Sequence, residues 1–490
     1  MKNTPHPSVS TYLGRSPIPH FIDGLDHPGG PSRPVVNPSD ASILAEVACG
    51  GEAEVNLAVA AAHQAFASWA ARPAVERSIL LHRLADRIEK EASVLAQIES
   101  LDVGKAITAT ESFDIPFGIE CIRYFADLAV NLRTDAPLAI KNIEARIHRA
   151  PHGVCGFIFP WNFPFNLLIW GVIPALAAGN TVVVKPSEVT PLSTLLVARL
   201  AAEVGFPAGV FNVVVGDGAA GSALAAHPLV RHMSFTGSPE VGSRIGGTCG
   251  SRLIPCKLEL GGKGAAVVFE DAHVETTAAQ LAGAITFNTG QVCCTATRWI
   301  VHENIYDELV ERACHVLRTT QIGPGLDPGT QMGPAVSAVQ RDRILRYLAM
   351  GKEAGAEVVL DGGPAEVRDG EPGFYVKPWL LAGSPDNICC REEVFGPAAF
   401  LLKFREESEA VALVNRLDYG LANSVWSADL DRANRVVEKL AAGNGWINAH
   451  NVFAYGLPYG GVNRSGLGGG VNSPATLYDY LRDQTIARPL

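Results

Sequence analysis

Short apolar runs separated by helical patterns recur through most of this chain, and that alternation constrains the fold more than any other feature. Gly153 to Phe159 reads as a buried strand, as do Thr181 to Val184, Phe211 to Val215 and His232 to Phe235. Leu192 to Val204 reads as a helix closed by Gly205 and Pro207. Strands separated by helices predict a parallel sheet with helices on both faces. Residues 53–71 and 74–100 carry two amphipathic helical patterns ahead of that sheet. A second alternating region runs from Lys263 to Asn448, with helices over 274–288 and 305–319 around a strand at 297–302. Residues 137–150 and Tyr478 to Ala487 read as extended segments outside the main domains, where exposed edges invite pairing between subunits. The first ~30 residues, rich in Pro and Gly, read as irregular.

Size and charge narrow the classes of function. A chain of 490 residues exceeds one typical core and is expected to hold two or more domains. A net charge of -10 argues against a nucleic-acid partner, since no basic excess meets phosphates. The apolar stretch Gly171 to Val184 is interrupted by Pro174, Gly179 and Asn180 and is too short to span a membrane. The start of the chain lacks the pattern of a signal peptide. The 10 cysteines show no metal-ligand spacing, and Cys293-Cys294 and Cys389-Cys390 are neighbours, which rarely suits a disulfide. A reducing cytoplasm is the expected compartment.

The chemistry concentrates in a few segments. Phe287-Asn288-Thr289-Gly290-Gln291-Val292-Cys293-Cys294 places a thiol after a Gly-Gln turn, and Glu259-Leu260-Gly261-Gly262-Lys263 supplies a carboxylate. A thiol adds to a carbonyl carbon, and a carboxylate takes protons from the thiol and later from water. Taken singly, a free cysteine is more often a small buried hydrophobe. Gly216-Asp217-Gly218-Ala219-Ala220-Gly221 fits a dinucleotide fingerprint, with Glu240 further on, but is weak among 49 glycines. Phe235-Thr236-Gly237-Ser238-Pro239-Glu240-Val241-Gly242 ends a strand at a turn whose following helix favours a phosphate. Lys185-Pro186-Ser187-Glu188 follows a strand, where ligands collect in such sheets; a solvated loop is its plainer reading. Pro160-Trp161-Asn162-Phe163-Pro164 offers an amide donor to an oxyanion, or merely a turn. Glu392-Glu393-Val394-Phe395-Gly396-Pro397 sets a carboxylate beside an aromatic ring, or is a surface loop.

These segments, in this order, resemble the aldehyde dehydrogenase superfamily, and the resemblance runs from about residue 35 to the end. It implies a Rossmann-like cofactor domain (1–126 and 151–261), an α/β catalytic domain (262–463) and a small β oligomerisation arm (127–150 and 464–490). It implies oxidation of an aldehyde to a carboxylic acid with NAD, NADP being a further option, in a homodimer or homotetramer. Under the resemblance Cys293 is the nucleophile, Glu259 the base for the deacylating water, and Asn162 with the Cys293 N–H the oxyanion hole. Lys185 and Glu188 hold the adenosine ribose, Gly237 and Ser238 meet the pyrophosphate, and Phe159, Trp161, Leu260, Glu393 and Phe395 complete the cofactor site. The Gly216 segment becomes structural. Phe117, Phe163, Leu167, Trp170, Cys294, Phe453 and Tyr459 form the substrate pocket, and no metal is expected.

The chain also departs from the family pattern. Relatives often carry a lysine after the tryptophan where Gly171 follows Trp170, and Arg-Glu where Gly469-Gly470 stand. Asn463 replaces a further lysine. Glu259 is therefore expected to release its proton by another route, a reading that a Gly171→Lys, Gly470→Glu variant addresses. The aromatic, uncharged wall suits an aromatic or medium-chain aliphatic aldehyde; a semialdehyde or amino-aldehyde is the alternative. Asn451, where relatives can carry a carboxylate, makes a cationic substrate less favoured. Glu188 predicts NAD over NADP by repelling a 2′-phosphate. An ester hydrolase, an acylating enzyme using coenzyme A and a non-catalytic binding protein are the rival readings.

Overall fold

The structure is a computed structural model that describes residues 5–367 and 372–490. Among the described residues, two large sheets dominate. The first has a parallel centre ordered Phe211–Val213, Thr181–Lys185, Val154–Ile158, Val230–Thr236, Cys256–Glu259. Its inner strands are buried on both faces, which is why they read as continuous apolar runs such as Thr181-Val182-Val183-Val184. The sequence did not reveal how this sheet is finished. His20–Ile22 and Leu25–His27 add an antiparallel hairpin at one edge, so the Pro- and Gly-rich start is not irregular throughout. His20 is fully buried there, and its Nδ1 accepts the Val215 N–H at 3.2 Å. Gly466–Leu467, expected within the arm, pairs instead with Leu258 and Glu259 at the other edge.

Helices Glu52–Ala71 and Ala74–Lys90 lie where the periodicity places them, but the second expected helix is two. Glu91 leaves the helical path (φ −101, ψ 12) and a new helix runs over Ala92–Val103. The break suits its side chain, which pairs with Arg87 at 2.7 Å. The second sheet is ordered Glu357–Leu360, Trp379–Ala382, Ala398–Phe404, Ala296–His302, Gly264–Val268, Ala422–Trp426, Asn444–Ile447, and is parallel except for its first pair. A third, three-stranded sheet holds the two extended segments together. Asp135–Ile140 turns at Asn142 (φ 59) into Ile143–Pro151, and Leu481–Pro489 pairs along the full length of that second strand. No helix among the described residues is long and apolar enough to cross a membrane.

Strands of the first sheet end together, and the segments after them carry Phe159, Asn162, Lys185, Gly237 and Leu260. This is the edge at which parallel sheets gather ligands. The close packing behind it is tested at Gly156, in a central strand, where a Cβ would stand 2.5 Å from Met233 Sδ and 3.2 Å from Leu224 Cγ. Valine's strand preference spans at most ~1 kcal/mol, whereas overpacking costs ~1–3 kcal/mol. Gly156→Val is therefore expected to lower the midpoint of urea unfolding; an unchanged or raised midpoint would show that this layer yields.

Candidate active site

Two glycines bring the motifs together. A Cβ at Gly262 would collide with the Cys293 carbonyl oxygen, and one at Gly261 with the Glu393 carboxylate. The strand-end carrying Glu259 can therefore pass the cysteine loop at backbone contact only because both residues lack side chains. The cysteine loop is itself bent by left-handed residues: Asn288, Thr289 and Gly290 all have positive φ (46, 57 and 67). Gly290 packs so tightly on the Gly396 carbonyl that no side chain fits. The Asn288 amide holds the bend, donating to the Asn162 carbonyl at 3.0 Å. Gln291, fully buried, donates to the Asn288 carbonyl at 3.1 Å and accepts the Val336 N–H at 2.9 Å.

Cys293 is half-buried at the end of this bend, with Sγ 3.5 Å from the Tyr459 hydroxyl. The Cys294 thiol and burial push the Cys293 thiol well above its ordinary range, and the Tyr459 hydroxyl opposes them. Cys294 points away, donating to Asn451 Oδ1 at 3.4 Å. Asn162 Nδ2 donates one hydrogen to the Gln291 carbonyl at 3.0 Å. An amide nitrogen carries two, so the second remains for a ligand. The Cys293 N–H meets no acceptor among the described residues. Glu259 is buried, and neither of its oxygens has a hydrogen-bond partner among the described residues. Burial pushes its carboxyl well above the usual range; Lys257 opposes that, Cys293 adds to it, and the nearby Gly461 N–H, outside full hydrogen-bond geometry, lowers it slightly.

A cleft of about 310 Å³ joins these groups, lined by all three of Cys293, Glu259 and Asn162. At one end it meets Phe159, Trp161, Gly237, Ser238, Leu260, Glu393 and Phe395. Ser238 caps the helix Pro239–Arg252, its Oγ accepting the Val241 N–H at 3.3 Å. Glu393 accepts the Gly262 N–H at 2.9 Å, and desolvation pushes its carboxyl up to about 7. Phe395 sits in a left-handed conformation (φ 61) with its ring edge-on to Trp161 at 5.3 Å. Two residues that sequence reading missed hold this loop: Gln340 Nε2 donates to the Phe395 carbonyl at 2.7 Å, and Arg343 to the Glu393 carbonyl at 2.8 Å. Both come from the helix Ala338–Glu353, whose pattern gives no sign of the contact.

Lys185 and Glu188 lie on the neighbouring strand-end, next to Phe159, whose N–H donates to the Lys185 carbonyl at 3.1 Å. Lys185 Nζ donates to the Gly216 carbonyl at 2.7 Å and to Glu188 at 3.4 Å. The Gly216 segment thus anchors the lysine, while Asp217 caps the helix Gly218–Ala226. Arg33, also missed, approaches Glu188 to 4.0 Å.

At the cleft's other end the wall is aromatic: Phe113, Phe163, Leu167, Trp170, Phe287, Phe453 and Tyr459. Phe113 takes the lining place expected of Phe117. It stands in a π-helical turn, Thr110–Asp114, which periodicity does not reveal. Phe117 lies behind, stacked on Tyr455 at 4.5 Å, and its carbonyl accepts the Tyr455 hydroxyl at 2.6 Å. A buried ionic cluster fastens the helix Pro164–Ala178 that carries Leu167 and Trp170. Glu99 accepts the Phe165 N–H at 3.2 Å, Asp114 accepts the Asn166 amide at 2.9 Å, and Lys105 bonds Asp114 at 2.8 Å. The Lys105 ammonium lies 3.9 Å from the Phe163 ring centre and is almost fully enclosed.

Two of the departures from the family pattern, Gly171 and Gly470, have a steric basis. A Cβ at Gly171 would stand 2.7 Å from the Phe159 ring, and one at Gly470 would collide with the Tyr459 carbonyl. A Gly171→Lys, Gly470→Glu variant therefore disturbs the site's walls as well as its protons. No cluster of residues able to hold a metal occurs among the described residues.

Comparison with known proteins agrees with this geometry. The aldehyde dehydrogenase family model matches residues 27–486. A mitochondrial aldehyde dehydrogenase of Leishmania tarentolae is 40% identical over 90% of this chain and 88% of its own. A betaine aldehyde dehydrogenase of Mesorhizobium japonicum is 38% identical, with 95% and 96% covered. Among solved structures, PnpE from Pseudomonas sp. WBC-3 is 41% identical with a TM-score of 0.93, covering 96% of this chain and 97% of its own. A betaine aldehyde dehydrogenase from Staphylococcus aureus in complex with NAD+ is 32% identical with a TM-score of 0.95, covering 98% and 97%. With identities of this size spread over nearly its whole length, the chain belongs to the aldehyde dehydrogenase family.

Proposed function

We propose that this chain oxidises an aromatic or medium-chain aliphatic aldehyde to its carboxylic acid with NAD. The observation that carries the reading is the convergence of Cys293, Glu259 and Asn162 on one cleft whose outer wall is aromatic. Cys293 adds to the carbonyl carbon, and its proton passes to Glu259. The alkoxide oxygen is met by the free hydrogen of Asn162 Nδ2 and by the Cys293 N–H, donors already fixed in place. When bound, the nicotinamide supplies the hydride acceptor. Glu259 gives that proton up to solvent and, ionised again, takes one from water as that water attacks the Cys293 thioester; the acid leaves and the proton returns to the Cys293 sulfur. Relatives that pass the acyl group to coenzyme A lack this glutamate, which favours the free acid.

The cleft fits the cofactor in three respects. Glu393 is a partly desolvated carboxylate pinned by the Gly262 N–H, placed to orient the nicotinamide half. The helix Pro239–Arg252 begins at the cleft with Ser238 and suits a pyrophosphate. Lys185 and Glu188, already joined to each other, suit adjacent ribose hydroxyls. We place the site between a cofactor domain (1–126 and 151–261) and a catalytic domain (262–463). The three-stranded sheet is proposed as the contact of a homodimer or homotetramer, since it exposes Leu138, Ile140, Ile143 and Ile486. Cytoplasmic residence is proposed from ten free cysteines.

The substrate class follows from charge. Among the described residues the aromatic end carries no exposed cation for a semialdehyde carboxylate, because Lys105 is enclosed with Glu99 and Asp114. A second reading is a quaternary amino-aldehyde. Ring faces attract cations, but Asn451 offers no carboxylate, and its Oδ1 is already bonded to Cys294.

Purified protein is expected to reduce NAD with benzaldehyde-type and medium aliphatic aldehydes, and Cys293→Ala to abolish this. Faster turnover of betaine aldehyde or of semialdehydes in the same absorbance assay would overturn the substrate class. Because Glu259 is raised, its basic form is present only above that raised range. Deacylation is therefore expected to fall with decreasing pH at a point above the range of a free carboxylate, and Glu259→Gln to leave a stalled thioester visible by mass spectrometry. Tyr459→Phe removes a group that favours the thiolate. It is expected to slow iodoacetamide labelling of Cys293 several-fold at fixed pH; unchanged labelling would remove Tyr459 from the mechanism. Exposed ion pairs contribute ~0.2–1 kcal/mol, so Arg33→Ala is expected to raise the NAD-to-NADP preference by up to roughly fivefold. Glu188→Gln is expected to lower it, both read as ratios of kcat/KM.

A further inference from the structure

We infer that Lys257, pinned by Asp479 and the Gly470 carbonyl, is the fixed counter-charge of Glu259 and acts as a positioning residue for the base. This rests on the reading of Glu259 as that base.

Lys257 and Glu259 occupy alternate positions of the strand Cys256–Glu259 and so project to one face of the sheet. The Lys257 side chain is 1% exposed. A lysine is rarely buried without partners, and this one has two: Nζ donates to the Gly470 carbonyl at 2.5 Å and to Asp479 at 2.7 Å. The Gly470 backbone stands between ammonium and carboxylate. A Cβ placed on Gly460 would lie 2.7 Å from Gly470 Cα and 3.1 Å from Glu259 Oε1. No donor stands within full hydrogen-bond geometry of Glu259 among the described residues; the Gly461 backbone N–H gives its ionised form some support, and the rest comes from the charges around it.

The groups supplying that field come from four directions. Lys257 shares its strand, Cys293 faces it from the cysteine loop, and Asp479 and Tyr480 approach from the C-terminal segment. His232, on the adjacent strand, lies within the field of Lys257 and is held neutral by burial. Lys257 is the cation among them. Cys293 and burial favour the neutral acid, and Lys257 opposes both. Asp479 is a third exposed and partly cancels the ammonium's field from its outer side.

The test is the acid limb of the deacylation rate against pH in the wild type and four variants. Removing the cation in Lys257→Met is expected to move the limb up by about one pH unit, with roughly tenfold loss on the acid side of the wild-type limb that recovers at higher pH. Asp479→Asn leaves the cation unopposed and is expected to move the limb down. Lys257→Met with Asp479→Asn is expected to fall between wild type and Lys257→Met, and it serves if the single variant fails to fold. Lys257→Arg is expected to restore the wild-type limb. Coincident limbs with lower melting temperatures would overturn the inference and leave a structural ion pair. Retained turnover in Glu259→Gln would instead overturn the base assignment on which it rests.

Discussion

Everything catalytic in this molecule depends on a backbone approach that side chains would prevent. Gly261 and Gly262 let the strand-end bearing Glu259 slide against the Cys293 carbonyl and under the Glu393 carboxylate. The hydrogen bond from the Gly262 N–H to Glu393 then fixes the third loop to the same point. Three segments far apart in sequence are thereby held within one cleft, with cofactor-facing groups at one end and aromatic rings at the other. The dipeptide is a requirement of geometry, because a methyl group at either position displaces a wall of the site.

That closeness shapes the electrostatics. Thiol and carboxyl are both desolvated; Cys293 disfavours ionisation of Glu259, and Cys294 and Glu393 disfavour that of Cys293. Two neutral groups form a stable resting state, from which the carboxyl must ionise before it can act as a base. A proton must pass to the carboxylate as the thiol attacks, so a base with a raised range is matched to its task. The oxyanion donors need no such tuning, since a backbone N–H and an amide hydrogen are neutral and fixed by the bend at Asn288.

Much of this was legible because its information is local. Strands buried on both faces write themselves as apolar runs, and the glutamate, cysteine and asparagine segments are each contiguous. The rest is tertiary. Nothing in the helix Ala338–Glu353 announces that Gln340 and Arg343 hold the carbonyls of Phe395 and Glu393. The Glu99–Lys105–Asp114 cluster looks like scattered surface charge until folding encloses it. Phe113, to which sequence reading gave no role, lines the cleft from a π-turn, while Phe117, placed there by resemblance, lies behind it. His20–Ile22 was hidden for another reason: three residues are too few to show alternation, and their partner strand lies far along the chain.

The same reasoning explains why the proposed counter-charge of Glu259 sits on its own strand. Phe159 packs its ring where a side chain at position 171 would pass, and the Tyr459 carbonyl fills the space beyond Gly470. Charged groups at those two positions are incompatible with these walls. Residues on the strand that ends in Glu259 are free of that conflict, because the alternate position already faces the same side of the sheet. Lys257 occupies it, and the C-terminal segment supplies both partners that make its burial tolerable: a carbonyl at Gly470 and a carboxylate at Asp479. The glycine that excludes one charge is thus the residue whose carbonyl anchors another. The edge pairing of Gly466–Leu467 with Leu258 and Glu259 brings the chain to Gly470 directly afterwards. The C-terminal segment from Gly466 to Asp479 therefore carries the proposed electrostatic setting of the base.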